Sequence, residues 1–216
     1  ITDEYSGQKA IMNKDILDVM EIKEGEYWLG LKKARFFTWF YPFANPHVEQ
    51  PKESPSRAYL QMVEAFIWSN YKPEEEEVAL EIGSAPGGAS YAMVQRGIRV
   101  TGVDNAEMSE TLLNHPLFTH IKEPMQKVRD EHIPRPCHLL VSDVNVMPSL
   151  NLSQVKRFMQ LRPGIKNVFY TLKIGSKITV PEILEHAKTF KRFGFREVGI
   201  TQLPSSKSEI LLFEKK

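Results

Sequence analysis

The sequence predicts an α/β fold: a mainly parallel sheet with helices on both faces. Three observations predict it. From Val78 onward, short apolar runs rich in β-branched residues alternate with segments of helical periodicity. The first such run, Val78–Ile82, passes straight into Gly83-Ser84-Ala85-Pro86-Gly87-Gly88, a glycine-rich turn that opens a helix. The next run ends in Asp104 and completes the front half of a βαβ unit.

Strands are expected at 78–82, 98–103, 118–121, 138–142, 167–172, 197–202 and 210–213. Helices are expected at 88–96, 109–114, 152–160 and 181–193. Ahead of them, Pro42, Pro46, Pro51 and Pro55 mark an extended linker. Ser56 is placed to cap a helix over 57–70, whose Leu60, Val63, Phe66 and Ile67 fall on one face. The acidic run Glu74 to Glu77 reads as a solvated loop.

Residues 1–50 differ from the rest. Glu26 to Leu31 and Phe36 to Phe40 read as two strands joined around Lys32-Lys33-Ala34-Arg35, with aromatic and basic residues interleaved. Such a hairpin either contacts RNA through stacking rings and phosphate-seeking charges, or packs its rings on the main domain with its charges in water. The segment is too short for its own core. Residues 1–50 are therefore expected to be the remnant of a further domain plus a linker, and 51–216 the main domain. The first residue is Ile1 rather than Met, as in a fragment or a processed chain.

With 216 residues, the chain can form one sizeable domain and a small appendage. Twenty-eight basic against twenty-seven acidic residues give no bulk signal for nucleic acid, so any such surface must be local. The single Cys137 excludes an internal disulfide framework and a cysteine zinc cluster, and reads as a buried inert thiol. His115, His120, His132 and His138 lack the spacing of a metal site. No apolar run approaches a membrane span and no signal peptide is visible, so a cytoplasmic, membrane-free protein is expected, with a monomer favoured.

The glycine turn is not a phosphate loop. No Gly-Lys-Ser/Thr follows it, and its spacing departs from the G-x-G-x-x-G of dinucleotide enzymes. Gly83, Gly87 and Gly88 lack Cβ, so the backbone can turn sharply and come close to a ligand. Asp104 can accept two hydroxyl hydrogen bonds from a ribose. A ligand with an adenosine ribose and no pyrophosphate suits this set, and S-adenosylmethionine is the candidate. Alone, a glycine-rich turn would merely reverse the chain; the strand before it, the helix after it and Asp104 favour a cofactor site.

In open α/β sheets, ligands bind beyond the carboxyl ends of the strands. There, Leu139-Leu140-Val141-Ser142 ends at Asp143, and Val168 to Leu172 ends at Lys173. The pair is either a surface salt bridge or the arrangement needed to orient and deprotonate a hydroxyl nucleophile. Glu209 opens the last strand after the polar loop Pro204-Ser205-Ser206-Lys207-Ser208.

Together, Ser56-Arg57-Ala58, the 83–88 loop, Asp104, Val141-Ser142-Asp143, Leu172-Lys173 and Ser208-Glu209 resemble the RrmJ/FtsJ-like ribose 2′-O-methyltransferases. Pro55-Ser56-Arg57, Ala85-Pro86-Gly87-Gly88 and Val103-Asp104-Asn105 look most like the RlmM branch, which methylates a cytidine ribose in bacterial large-subunit ribosomal RNA. The resemblance spans about residues 55 to 216. It implies a Rossmann-like methyltransferase sheet and S-adenosylmethionine held by Gly83, Ala85, Pro86, Gly87, Gly88, Asp104, Glu123 and Asp143. It also implies an RNA partner and no metal. The family works with a Lys-Asp-Lys-Glu tetrad, in which Asp143, Lys173 and Glu209 match the last three members and Lys173 the presumed base. The first lysine is replaced by Gln61. Lys207, Lys177 or Arg57 could supply the missing charge, or a charged Lys173 could act by orienting the hydroxyl. Ala89 also stands where an aromatic is common, and Pro124 where the branch has an Asp beside Glu123. The resemblance thus implies an RNA 2′-O-methyltransferase; an RNA-binding module impaired in catalysis is the alternative. A small-molecule methyltransferase is a weaker one.

Overall fold

The computed structural model describes residues 11–34, 41, 45–174 and 178–216. In chain order these form β1 (Asp15–Lys23), β2 (Glu26–Lys33), α1 (Ala58–Ser69), β3 (Val78–Ile82), α2 (Gly88–Val94), β4 (Arg99–Val103), α3 (Glu110–Leu113), β5 (Phe118–Ile121), β6 (Leu139–Ser142), α4 (Pro148–Leu161), β7 (Asn167–Lys173), α5 (Val180–Arg192), β8 (Glu197–Thr201) and β9 (Glu209–Lys215).

One sheet runs in the order β5-β4-β3-β6-β7-β9-β8. Strands β3 to β7 pair in parallel. Strand β9 inserts antiparallel between β7 and β8. Every residue of β3 is buried, because helices cover both faces of a central parallel strand; its sequence is therefore near-continuously apolar rather than alternating. The chain winds outward from β3 through β4 to β5, then crosses back to β6 on the other side of β3. That reversal opens a crevice beyond the carboxyl ends of β3 and β6.

Two apolar layers sandwich the sheet. On one face, α1 and α2 contribute Val63, Phe66 and Met93, packed with Phe169 and Phe213 of the sheet. On the other, Phe158 of α4 and Phe190 of α5 pack on Leu140, Tyr170 and Leu212. Helix α5 starts with a reciprocal capping box between Thr179 and Glu182.

Several local expectations are corrected. Helix α4 begins at Pro148, four residues before the expected start, because proline suits the first helical turn. Arg57, not Ser56, occupies the N-cap of α1, and it makes no side-chain cap. That helix is buried beyond its expected stripe: Tyr59, Met62, Ala65 and Trp68 are covered, while Leu60 and Ile67 are only partly so. Glu77, expected in water, is buried and accepts hydrogen bonds from Tyr71 Oη and the Glu74 amide. Among the described residues, β2 pairs with Asp15–Lys23, a strand not expected from the sequence, joined through Glu24-Gly25 with Gly25 at φ +74°. The strand expected at Phe36 to Phe40 lies outside the described residues. Tyr27 and Trp28 are exposed, so these rings do not pack on the main domain. Cys137 is buried, as expected, and burial raises its thiol pKa to about 12.

Candidate active site

The crevice is built by the ends of β3, β4 and β6. The Gly83 amide donates to Val103 O at 2.9 Å, and the Asp143 amide to Ile82 O at 3.0 Å, so the three strand ends are tied together. Asp104 holds the glycine turn: its Oδ2 accepts from the Ala85 amide at 3.1 Å and its Oδ1 from the Ala106 amide at 2.9 Å. Gly83, Ala85, Asp104, Glu123 and Asp143 line a cavity of about 430 Å³. Three of these are carboxylates, and among the described residues no lysine or arginine lines the cavity. That set of acceptors suits a nucleoside bearing hydroxyls and positive charge, and disfavours a pyrophosphate. S-adenosylmethionine meets this requirement.

Pro86, Gly87 and Gly88 are not among the lining residues. The glycines of the turn permit approach to neighbouring chain. A Cβ on Gly83, which has φ +81°, would strike the Asp143 carbonyl. One on Gly87 would strike Leu112 and Met108, and one on Gly88 would strike Ser56 and the Tyr59 amide. Close packing of α2 against α1 and α3 is therefore the constraint these two positions meet.

Beside the cavity, Lys173 Nζ lies 2.5 Å from Asp143 Oδ1 and 2.6 Å from Glu209 Oε1. Lys173 and Glu209 are register partners on β7 and β9, and Asp143 follows the adjacent β6. Sheet pairing alone thus delivers the cluster. Gln61 of α1 completes it, with Nε2 donating to Glu209 Oε2 at 2.5 Å and Ser206 Oγ at 3.3 Å. Burial lowers the Lys173 pKa, but Asp143 and Glu209 outweigh it and leave the ammonium raised above its ordinary value. Burial raises the Asp143 carboxyl, with Lys173 opposing. Of the cations considered as substitutes for the missing lysine, Lys177 lies outside the described residues. Among the described residues, Lys173 is the cation paired with Asp143 and Glu209.

Two buried polar contacts underpin these ends. Glu81 sits one residue from the end of β3, fully desolvated. Burial pushes its pKa to about 8, and Ser90 Oγ donates to it from α2. Asn151 of α4 accepts from Ser142 Oγ at 2.6 Å and donates to Thr171 O at 3.4 Å, bridging the strands that carry Asp143 and Lys173. Sequence reasoning missed both; an acid inside a buried strand was the available signal for Glu81, and none marked Asn151.

Residues 55–209 match the FtsJ-like methyltransferase family. The chain belongs to that family. Relatives within reach of the FtsJ-like sequence include Ribosomal RNA large subunit methyltransferase M of Pseudomonas syringae pv. tomato (29% identity, covering 89% of this chain and 56% of that one). The protein of the same name from Azoarcus sp. is 27% identical, covering 92% and 56%. The chain thus spans a little over half the length of these relatives. Among solved structures, one of Plasmodium falciparum named as a ribosomal RNA methyltransferase superposes with TM-score 0.57 at 18% identity, covering 74% of this chain and 97% of that one. The 1,6-didemethyltoxoflavin-N1-methyltransferase of Burkholderia thailandensis, solved with S-adenosylhomocysteine, gives 0.51 at 14% identity, covering 92% and 99%. At these identities the superpositions speak for the fold alone. Among the described residues no helix is long and apolar enough to cross a membrane, and no group of side chains could hold a metal ion.

Proposed function

We propose that this chain carries the catalytic domain of an S-adenosylmethionine-dependent RNA ribose 2′-O-methyltransferase acting on large-subunit ribosomal RNA in the cytoplasm. One observation carries the reading: Lys173 and Glu209 converge with Asp143, which lines the acidic cavity. The names of its relatives support the RNA class. Residues 51–216 form the methyltransferase domain, and 1–50 the end of an RNA-binding region with its linker. The exposed Tyr27 and Trp28, on the strand that ends at the exposed Lys33, suit that role.

Asp104 binds the cofactor ribose, Glu123 its adenine amine, and the turn around Gly83 and Ala85 its amino-acid end; Pro86, Gly87 and Gly88 keep that turn in shape. When bound, S-adenosylmethionine supplies a methyl group on a sulfonium. The chain's own task is the proton of the ribose 2′-hydroxyl. Asp143 and Lys173 hold the hydroxyl at the rim. Lys173, once neutral, accepts its proton, and Glu209 keeps the amine aimed. Because two carboxylates flank Lys173, the neutral form grows only as pH rises.

The test is methyl transfer from labelled S-adenosylmethionine to ribosomal RNA lacking the modification. Incorporation at a single ribose is expected. Cofactor binding without incorporation would instead support the second reading, an RNA-binding module whose catalysis is impaired by Gln61.

A further inference from the structure

Glu64 is the one carboxylate within α1 and is almost wholly buried on a helix whose other buried residues are apolar. Burial raises its pKa and Ser205 pulls it back. Its Oε2 accepts two hydrogen bonds from a single residue: from the Ser205 amide at 3.0 Å and from Ser205 Oγ at 2.7 Å. One turn earlier on the helix, Gln61 donates to Ser206 Oγ and Glu209 Oε2. Consecutive turns of α1 therefore grip consecutive residues of the loop between β8 and β9. The loop itself is polar, Pro204-Ser205-Ser206-Lys207-Ser208, and offers few apolar groups of its own to hold it in place. Leu203, at its start, is buried. At its end, the Ile174 amide donates to Ser208 O at 2.8 Å, and Glu209 follows directly.

We propose that Glu64 is a positioning residue: by mooring Ser205 to α1 it fixes the β8–β9 loop, and through Glu209 it sets where Lys173 presents its amine. The proposal rests on the function inferred above. A leucine of similar size would fill the same space without the cost of burying a carboxylate, so packing alone does not account for an acid here. The acid does what leucine cannot, which is to capture a backbone amide and its hydroxyl together.

The experiment compares Glu64→Leu and Glu64→Gln with the wild type. Four quantities are read: melting temperature, S-adenosylhomocysteine affinity, kcat against KM on unmodified ribosomal RNA, and hydrogen exchange at Ser205. In Glu64→Leu the melting temperature should hold or rise and cofactor affinity should be unchanged. Its kcat should fall on the order of tenfold with little change in KM, since a small displacement of an aligned group suffices for that. Its Ser205 amide should exchange faster. Glu64→Gln should restore most of kcat and of the protection, because its carbonyl can accept both bonds. Wild-type kcat or wild-type exchange in Glu64→Leu would overturn the proposal. Should Glu64→Leu fail to fold, Ser205→Ala, which removes one of the two donors, carries the same comparison with a smaller effect. A wild type that methylates no RNA defeats the functional reading instead; the exchange comparison still decides whether Glu64 holds the loop.

Discussion

Gln61 and Lys173 grip opposite oxygens of the Glu209 carboxylate: Gln61 Nε2 stands 2.5 Å from Oε2, and Lys173 Nζ 2.6 Å from Oε1. A neutral amide thus shares the Glu209 carboxylate with the Lys173 ammonium. It satisfies the hydrogen-bonding need of Glu209 but not its charge. The balance around Lys173 then tilts toward its protonated form.

Gln61→Lys should correct that tilt. A second ammonium offsets one of the two carboxylates and lowers the Lys173 pKa. The rising limb of the pH–rate profile should move to lower pH, and the rate near neutrality should increase by about tenfold. An unchanged profile would show that the neutral amine of Lys173 does not limit the reaction.

Lys173→Met and Lys173→Arg separate proton acceptance from charge. If the amine accepts the hydroxyl proton, both variants should lose about 10²- to 10⁴-fold in rate, because arginine keeps the charge but does not deprotonate. Cofactor affinity, measured by titration with S-adenosylhomocysteine, should change little, since Lys173 is not among the residues lining the cavity. Substantial activity in Lys173→Arg would assign Lys173 an orienting role.

Much of this site was legible in the sequence because it depends on strand ends. The order of strands, the reversal beside β3 and the exits of β4, β6 and β7 place Asp104, Asp143 and Lys173 without any knowledge of side-chain packing. Glu209 was reached through resemblance, and the antiparallel register of β9 explains why it meets Lys173. What stayed hidden depends on helix rotation and loop approach. Gln61 was reached through the resemblance, but Glu64, one turn further along α1, was not, because a hydrophobic stripe does not say that the same helix also faces a distant loop. In the glycine turn, absent Cβ atoms signal close approach but not whether ligand or protein approaches: Gly83 lines the cavity, whereas Gly87 and Gly88 meet neighbouring chain. The hairpin of β1 and β2 was not expected because Glu24-Gly25, a two-residue turn, is a weaker signal than the basic cluster after it.

Glu214 offers a test of stability away from the chemistry. It lies one residue from the end of β9, fully buried, and among the described residues neither carboxyl oxygen has a hydrogen-bond partner. Burial raises its pKa well above the ordinary 4.5. The folded state therefore prefers the protonated acid. The stability this contributes is complete below the ordinary carboxylate pKa and is lost as pH climbs through the raised value. Glu214→Leu should remove that loss and stabilise the protein near neutral pH by about 1–3 kcal/mol, with little gain at pH 4. Denaturant unfolding at the two pH values measures the difference. A residual slope up to about pH 8 is expected from Glu81, which titrates with the same sign.

Gly88→Ala distinguishes the two meanings of the glycine turn. Gly88 opens α2, and a methyl there would meet the Ser56 carbonyl just before α1 and the Tyr59 amide in its first turn, backbone groups that cannot rotate away. The helices must separate for it to fit. Overpacking of this kind costs about 1–3 kcal/mol, so the melting temperature should fall by several degrees. Because α1 also carries Gln61, its displacement should weaken the contact with Glu209 and lower kcat. Cofactor affinity should be less affected, as Gly88 does not line the cavity. The opposite pattern, lost S-adenosylhomocysteine binding at unchanged melting temperature, would mean that the methyl group intrudes on the ligand and that the turn is shaped for the cofactor at this position too.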